Sequence, residues 1–240
     1  MAKNYRFEFK YQLDRRTAYF IEQEIQKFGM QPALAAEDGN YYVTSLYYDS
    51  PNLSDYHDKT GGFMIRKKFR LRIYEPFLHK SDKIWLEIKN RFGQKNSKTR
   101  ILLTREELNS LISDGGRVLL EKKWQDGEKT KKNEILWHLI KSGAKPKIVV
   151  RYKRKAYLNE FENIRITFDS ELEACTKRDF GYTMLMVPVN PDKIVMEVKF
   201  SFLMPHWFKS VVQRYELTAD TYSKYEKSLE VIHRYNPILR

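Results

Sequence analysis

Acidic and basic side chains alternate with apolar ones along several short segments of this 240-residue chain. A Glu-x-Lys pair occurs repeatedly, as Glu8/Lys10, Glu87/Lys89 and Glu197/Lys199. Arginine and lysine bind phosphate oxygens, and carboxylates suit hard divalent cations such as Mg²⁺ and Mn²⁺. If the fold brings these residues together, they would suit a compact polyanion with a bound metal, of which a triphosphate is one example.

The alternation has the two-residue period of a β-strand, in which successive side chains point to opposite faces. Segments with this pattern lie at approximately 5–11, 41–49, 63–74, 83–91, 97–103, 147–157, 163–169 and 193–200, with a weaker candidate at 181–187. In the fourth segment, Ile84, Leu86 and Ile88 share one face, while Glu87 and Lys89 share the other. At least five segments therefore place charges on one side and apolar residues on the other.

Helical patterns lie between and after these segments, at approximately 15–28, 105–113, 134–141, 205–215 and 222–235. Asp14 can cap the first helix, and Gly29 can end it. Thr104 and Glu107 form a capping box at the start of the second helix. The lysine-rich segment 121–134 is interpreted as an exposed connection.

Two sheet architectures fit these patterns. In an ordinary antiparallel sheet, the apolar face lies on the core and the charged face lies in water. In a closed antiparallel barrel, helices would cover an apolar exterior, and the charged faces would line a tunnel. Burying many like charges is costly unless water, counter-charges or a ligand compensate them. The dominance of Arg and Glu on the charged faces favours the α+β barrel.

Composition narrows the class of protein. The chain carries a net charge of +13 and 42% hydrophobic residues, which fits one domain over residues 1–240 and predicts attraction to polyanions. One cysteine, Cys175, excludes an internal disulfide and favours the cytosol, and no histidine spacing suggests zinc. No P-loop or RNP-type aromatic platform is present, so nucleic acid is not expected as a partner. No apolar run reaches the length of about 18 residues typical of a membrane span, so membrane association would require a partner protein.

Short pieces in order along most of the chain resemble a known family, the polyphosphate polymerase (VTC, vacuolar transporter chaperone) domain of the CYTH-like triphosphate tunnel metalloenzymes. These pieces are RFEFKY at 6–11, SLYYDS at 45–50, RKKFRLRIY at 66–74, WLEIKNR at 85–91, KTR at 98–100, RYKRKAY at 151–157, RITFD at 165–169, VMEVKF at 195–200 and SKY at 223–225. The resemblance implies a tunnel barrel of about eight antiparallel strands that binds a nucleoside triphosphate and a divalent metal.

The resemblance also implies roles for individual residues. The basic residues expected to act on the transferred phosphoryl group are Lys10, Arg70, Arg72, Lys89 and Lys199. Those expected to bind other phosphates are Lys98, Arg100, Arg154, Arg165 and Lys224. Glu197 is the first expected ligand of Mn²⁺ or Mg²⁺, with Glu8 and Glu87 as supporting acids. Asp169 lies on the same charged face without a defined role.

The activity implied is that of an ATP-polyphosphate phosphotransferase, with ATP and inorganic polyphosphate as partners. Hydrolases and cyclases of the tunnel superfamily typically begin with ExExK, whereas this chain has Arg6 in place of the first glutamate. That departure favours the polymerase branch. Two alternatives remain open: a metal-dependent triphosphatase or polyphosphatase that uses the same tunnel, and a non-catalytic module that binds polyphosphate.

Overall fold

The computed structural model describes residues 7–33, 39–92, 95–114, 117–124, 128–176, 179–180 and 185–235. Within these residues the strands are β1 (Phe7–Asp14), β2 (Gln31–Pro32), β3 (Asn40–Asp49), β4 (Ile65–Ile73), β5 (Ile84–Phe92), β6 (Lys95–Leu103), β7 (Lys145–Asn159), β8 (Ile164–Cys175), β9 (Val187–Pro188) and β10 (Lys193–Phe200). The helices are α1 (Arg15–Gln26), α2 (Ser54–Thr60), α3 (Arg105–Asp114), α4 (Val118–Glu121), α5 (Lys129–Leu136), α6 (His206–Arg214) and α7 (Lys224–Tyr235). A 3₁₀ turn spans Leu78–Lys80, and a π-helical turn spans Trp137–Lys141. Arg6 and most of the weak strand candidate at 181–187 lie outside the described residues.

The strands form a single antiparallel sheet in the order β1-β10-β8-β7-β3-β4-β5-β6, with β2 added to β7 and β9 added to β8. The sheet is strongly curved, because Lys89 of β5 lies 3.0 Å from Glu8 of β1. These strands are six steps apart along the sheet, and a flat sheet would separate them by roughly 29 Å at about 4.8 Å per step.

The predicted closure of the barrel is not confirmed. Strands β1 and β6 are the two ends of the hydrogen-bonded path, and no ladder joins them within the described part of the chain. An ion pair between side chains, rather than backbone pairing, therefore connects β1 to the far side of the sheet. The fold is an α+β structure with an antiparallel sheet that curls around an interior and, over the residues described, is not closed between β1 and β6.

The convex face of the sheet is apolar and covered by helices, as predicted. Ile84, Leu86 and Ile88 of β5 are buried in a cluster with Leu108 and Leu111 of α3. Helices α1 and α6 cover the convex face of β1, β8 and β10 in the same way. Full burial of one such side chain contributes about 1.5–3 kcal/mol, so these contacts fix which side of each strand faces inward.

The concave face is divided between an apolar part and a charged part. Helix α7 packs inside the curve, where Tyr225, Leu229 and Ile232 belong to one buried cluster with Val150 of β7 and Val195 of β10. The sequence predicted a helix at this position in the chain but not its place inside the sheet. The rest of the concave face carries the alternating charges described above.

Local capping follows the predicted chemistry at two helices. The Asp14 side chain accepts a hydrogen bond from the backbone N–H of Thr17 at 2.8 Å, and Gly29 follows α1 with a φ of 75° that favours glycine. At α3, Thr104 and Glu107 accept hydrogen bonds from each other's backbone N–H groups at 3.2 and 3.0 Å. Both predicted helix starts are confirmed.

Two local predictions were incomplete. The segment 121–134 is not simply an exposed connection, since α5 begins at Lys129 and buries Ile135 against the convex face. Helix α2 was not predicted; it is held by the buried carboxylate of Asp49, which accepts from the backbone N–H groups of Asp55 and Tyr56 at 3.0 and 3.1 Å. Within the described ranges, no helix combines the length and the apolar character needed to cross a membrane.

Candidate functional site

The charged part of the concave face forms a cavity of about 370 Å³. Its walls come from β1, β3, β4, β5, β7 and β10, and the start of α7 contributes to one side. Among the residues that the structure describes, eleven that line the cavity are basic: Lys10, Lys59, Arg66, Lys68, Arg70, Arg72, Lys89, Arg91, Arg154, Lys199 and Lys224. Three of the described lining residues are acidic: Glu8, Glu197 and Asp220. The interior therefore has a large excess of positive charge that an anionic ligand would neutralise.

Two glutamates and three lysines form a cluster on β1, β5 and β10. The carboxylate of Glu8 lies 3.0 Å from the ammonium of Lys89, 3.6 Å from Lys10 and 3.8 Å from Lys199. Glu197 forms an ion pair with Lys199. Antiparallel pairing of β1 with β10 produces this cluster, because it sets Glu8 opposite Lys199 and Lys10 opposite Glu197.

Both glutamates of this cluster are ionised at neutral pH. Burial and the nearby Glu197 would raise the pKa of Glu8, but the surrounding lysines outweigh both and lower it to about 2. Burial likewise opposes ionisation of Glu197, yet Lys199 and Lys10 hold its pKa well below the usual range. The carboxylates are therefore available to a cation at neutral pH.

The carboxylate of Glu87 holds two arginine side chains of β4 in place. Its side chain is fully buried, and one carboxylate oxygen accepts from Nε and Nη2 of Arg70 at 2.9 and 2.8 Å. Arg72 lies 3.6 Å from the same oxygen, and Lys98 lies 3.3 Å from the other. Burial would raise the pKa of Glu87, but these three cations lower it to about 2. Glu87 does not line the cavity, so it holds arginine side chains in place instead of facing a ligand.

Asp169, whose role the sequence left undefined, has a similar arrangement on β8. Its carboxylate accepts from Nε and Nη2 of Arg154 at 2.5 and 2.7 Å and lies 2.6 Å from the ammonium of Lys224. Burial would raise the pKa of Asp169, but Arg154 and Lys224 lower it. Glu87 and Asp169 are thus two buried acids that orient Arg70 and Arg154. The N–H groups of these arginines that do not bind the acids remain available to a ligand in the cavity.

Some basic residues of the cavity were not among the predicted site residues. Lys68 and Arg66 lie on the same face of β4 as Arg70, so strand parity alone would have identified them. Burial, and then the charges of neighbouring lysines, lower the pKa of Lys68 to about 7. Lys59 lies on α2, which the sequence did not predict. Tyr47 also lines the cavity, and its hydroxyl accepts from Nη1 of Arg70 at 3.2 Å.

Three predicted phosphate-binding residues do not line the cavity. Lys98 and Arg100 of β6 line a separate groove, where the Arg100 guanidinium lies 4.4 Å from the ring centre of Trp85. Arg165 is half-buried on β8 and donates to the hydroxyl of Tyr41 at 3.4 Å. The other predicted basic residues all line the cavity: Lys10, Arg70, Arg72, Lys89, Arg154, Lys199 and Lys224.

The acidic residues allow a test of the expected metal. Among the described residues, no group of three or more His, Cys, Asp or Glu side chains is placed to hold a metal ion. Glu8 and Glu197 nevertheless both line the cavity. Mg²⁺ is commonly held by one or two carboxylates together with substrate phosphates. Glu8 and Glu197 therefore fit a divalent cation that binds together with a phosphate ligand. Glu87 instead binds Arg70 and Arg72 and does not line the cavity.

Comparison with known proteins places this geometry in context. Residues 5–233 match the family model of the VTC domain. A proposed adenylate cyclase of Bacillus halodurans has a similar structure, with a TM-score of 0.53 and 11% identity over 93% of this chain and 96% of its own. A proposed adenylyl cyclase of Hippeastrum, described as having a dominant triphosphatase activity, has a TM-score of 0.53 and 12% identity over 95% of this chain and 96% of its own. At these identities the likeness supports the tunnel fold alone. No curated protein sequence matches the chain.

Proposed function

Because the chain belongs to the VTC domain family, we propose that it is a divalent-metal-dependent polyphosphate polymerase that uses ATP. The observation that carries this proposal is the cavity on the concave face, where eleven basic and three acidic side chains line the part that the structure describes. An oxygen of the terminal phosphate of the polyphosphate attacks the γ-phosphorus of ATP. A new P–O–P bond forms, the bond from the γ-phosphorus to the β,γ-bridging oxygen breaks, and ADP leaves.

Such a reaction needs no nucleophilic side chain, because the acceptor phosphate supplies the attacking oxygen. The protein must instead hold two polyanions that repel each other and stabilise the charge of the transferred group. Lys10, Lys89 and Lys199 surround Glu8, whereas Arg70 and Arg72 bind Glu87. These two groups of cations can therefore contact different phosphates of the two partners. A divalent cation held by the glutamates of β1 and β10 would neutralise further phosphate charge.

The buried acids contribute by fixing the cationic side chains before substrate arrives. Glu87 holds Arg70 through two hydrogen bonds, and Asp169 holds Arg154 in the same way. A guanidinium that is already oriented loses little side-chain freedom when it binds phosphate. Preorganised charge of this kind stabilises a transition state without reorganisation at the moment of reaction.

The second candidate function is hydrolysis of a triphosphate, in which water replaces the polyphosphate end as acceptor. The described triphosphatase activity of the Hippeastrum protein motivates this alternative. Incubation of the purified protein with ATP and Mn²⁺ or Mg²⁺ separates the two. ADP together with a long polymer on a polyphosphate gel supports polymerisation, whereas ADP and stoichiometric orthophosphate support hydrolysis. Binding of polyphosphate without turnover of ATP would identify a non-catalytic module.

Glu197→Gln tests the part assigned to the acidic pair. The variant keeps the shape of the side chain but loses its charge, and we expect the rate of ADP release to fall about 100-fold or more. The matched control is Glu171→Gln, since Glu171 is an exposed glutamate paired with Lys153 outside the cavity. Circular dichroism of both variants checks the fold. An unchanged rate in Glu197→Gln would remove this residue from the mechanism.

A further inference from the structure

A second basic depression lies along β6, the edge strand of the sheet. This groove has a volume of about 530 Å³ and shares no lining residue with the cavity. Its walls are β6 and the chain around α4 and α5. Among the described residues, its lining contains one acidic side chain, Glu128, and five basic ones: Lys98, Arg100, Lys122, Lys123 and Lys131. The described lining therefore carries an excess of positive charge outside the cavity.

The fold brings two separate sequence features together here. Lys98 and Arg100 were expected in the central tunnel, and the lysine-rich segment 121–134 was expected to be an exposed connection. Leu119 of α4 and Ile135 of α5 are both buried against the convex face of the sheet. Their burial fixes both ends of the lysine-rich segment beside β6, so the described charges of Lys122, Lys123, Glu128 and Lys131 lie at a defined place.

Arg100 is oriented for an anionic ligand. Its guanidinium stacks 4.4 Å from the ring centre of Trp85, a contact that restrains the side chain and leaves its N–H edges available. Within the described part of the chain, no carboxylate lies within 4.0 Å of the charged nitrogens of Arg100 or Lys123. Lys122 and Lys131 pair with Glu107 and Glu128 at 2.6 and 2.9 Å. The groove therefore holds positive charge that the described acids do not neutralise.

The groove is adjacent to the cavity. One oxygen of Glu87 lies 3.3 Å from the ammonium of Lys98 in the groove, and the other oxygen binds Arg70 in the cavity at 2.8 Å. A single buried carboxylate thus separates the two basic regions. A linear polyanion that occupies the cavity therefore has a second set of cations close to it.

We propose that the groove along β6 is a second polyanion site, which binds the part of a polyphosphate chain that extends beyond the cavity. The identity of this polymer rests on the proposed function. Phosphates repeat along such a chain, so separate basic sites add to its affinity. Tripolyphosphate has only three phosphates, so a molecule bound among the basic residues of the cavity has none left to contact Lys123 or Lys131. The groove therefore selects for chain length.

The double variant Lys123→Glu/Lys131→Glu tests this site, because both side chains are exposed and neither lines the cavity. The matched control is Lys27→Glu/Lys209→Glu, which makes the same charge change at exposed positions outside the groove. Binding of long-chain polyphosphate and of tripolyphosphate is measured by calorimetry at several salt concentrations. We expect the groove variant to weaken long-chain binding by at least about tenfold and to lower the salt slope by about 0.7 per lost contact. The control should change long-chain binding less than about threefold, and neither variant should alter tripolyphosphate binding.

Three results would overturn the proposal. Equal weakening by the groove and control variants would show a general charge effect. Unchanged long-chain binding with new dimers or aggregates on size-exclusion chromatography would show that the lysines only protect an edge strand. Unchanged long-chain binding with weakened RNA binding would assign the groove to nucleic acid. Because binding is measured without ATP, a failure of the polymerase assay does not affect this comparison.

Discussion

Glu87→Gln removes the buried charge that orients Arg70 and Arg72 but preserves the shape of the side chain. The pKa of Glu87 is lowered from an ordinary 4.5 to about 2, and each pKa step of one is equivalent to about 1.4 kcal/mol. Ionised Glu87 therefore stabilises the folded state by about 3 kcal/mol at neutral pH. Because the side chain is fully buried, solvent does not screen this contribution. We expect Glu87→Gln to lower the free energy of unfolding by about that amount at pH 7.

The pH dependence of this loss makes the prediction specific. The folded protein binds the Glu87 proton less readily than the unfolded chain, so the stabilisation is complete above about pH 4.5 and disappears towards pH 2. At pH 3 the difference between wild type and variant should be about 2 kcal/mol smaller than at pH 7. Urea unfolding at the two pH values, followed by circular dichroism, measures both differences.

Glu171→Gln is the control for this experiment, since its exposed pair with Lys153 should contribute less than about 1 kcal/mol. Other groups titrate in the same range, but their contributions to the free energy of unfolding cancel when each variant is compared with wild type at the same pH. A loss in Glu87→Gln that equals the loss in Glu171→Gln would refute the role of the buried charge. A loss that stays constant from pH 7 to pH 3 would refute it as well.

Three further changes have defined outcomes. Burial and neighbouring lysines lower the pKa of Lys68 to about 7, so its titration should make the free energy of unfolding rise between pH 7 and 10.5. In urea unfolding, Lys68→Met should show a smaller rise over this range, and a rise equal to that of the wild type would contradict the shift. Asp169→Asn frees Arg154 and Lys224 from their shared carboxylate and should weaken calorimetric tripolyphosphate binding about tenfold, whereas equal affinity would exclude this orienting role. Leu86→Ala should lower the free energy of unfolding by about 2–5 kcal/mol, and a loss below about 1 kcal/mol would place this side chain outside the core.

Strand parity predicted correctly which face of β5 is charged. Ile88 packs under a helix and Lys89 lines the cavity, as the alternation within β5 requires. The period of two is a property of the extended backbone, so it can be read from the sequence. Which face of the sheet is concave could be inferred only by comparing several strands, because a single amphipathic strand fits either a solvated sheet or a tunnel.

Other features depend on register and long-range packing. Basic residues occur at both odd and even positions of RYKRKAY at 151–157, so the sequence does not define the strand face of Arg154. The structure shows an irregular register between β7 and β8 beside this residue, between Arg151 and Lys153. Glu87 of β5 and Glu197 of β10 both belong to a Glu-x-Lys pair and both lie on the charged face of their strand. Of these two residues, Glu197 lines the cavity and Glu87 does not, because Arg70 and Arg72 cover Glu87. Neither the open edge between β1 and β6 nor the place of α7 has a local sequence pattern.

The position of α7 couples the ligand to the stability of the last described helix. Lys224 starts this helix and lines the cavity, while Leu229 and Ile232 farther along it pack on the concave face. A ligand that contacts Lys224 binds only when α7 is docked, so mass action makes undocking rarer as ligand concentration rises. Proteases cleave a folded segment when it opens locally. Tripolyphosphate is therefore expected to protect α7 from cleavage, which makes resistance to proteolysis a measure of occupancy that needs no turnover.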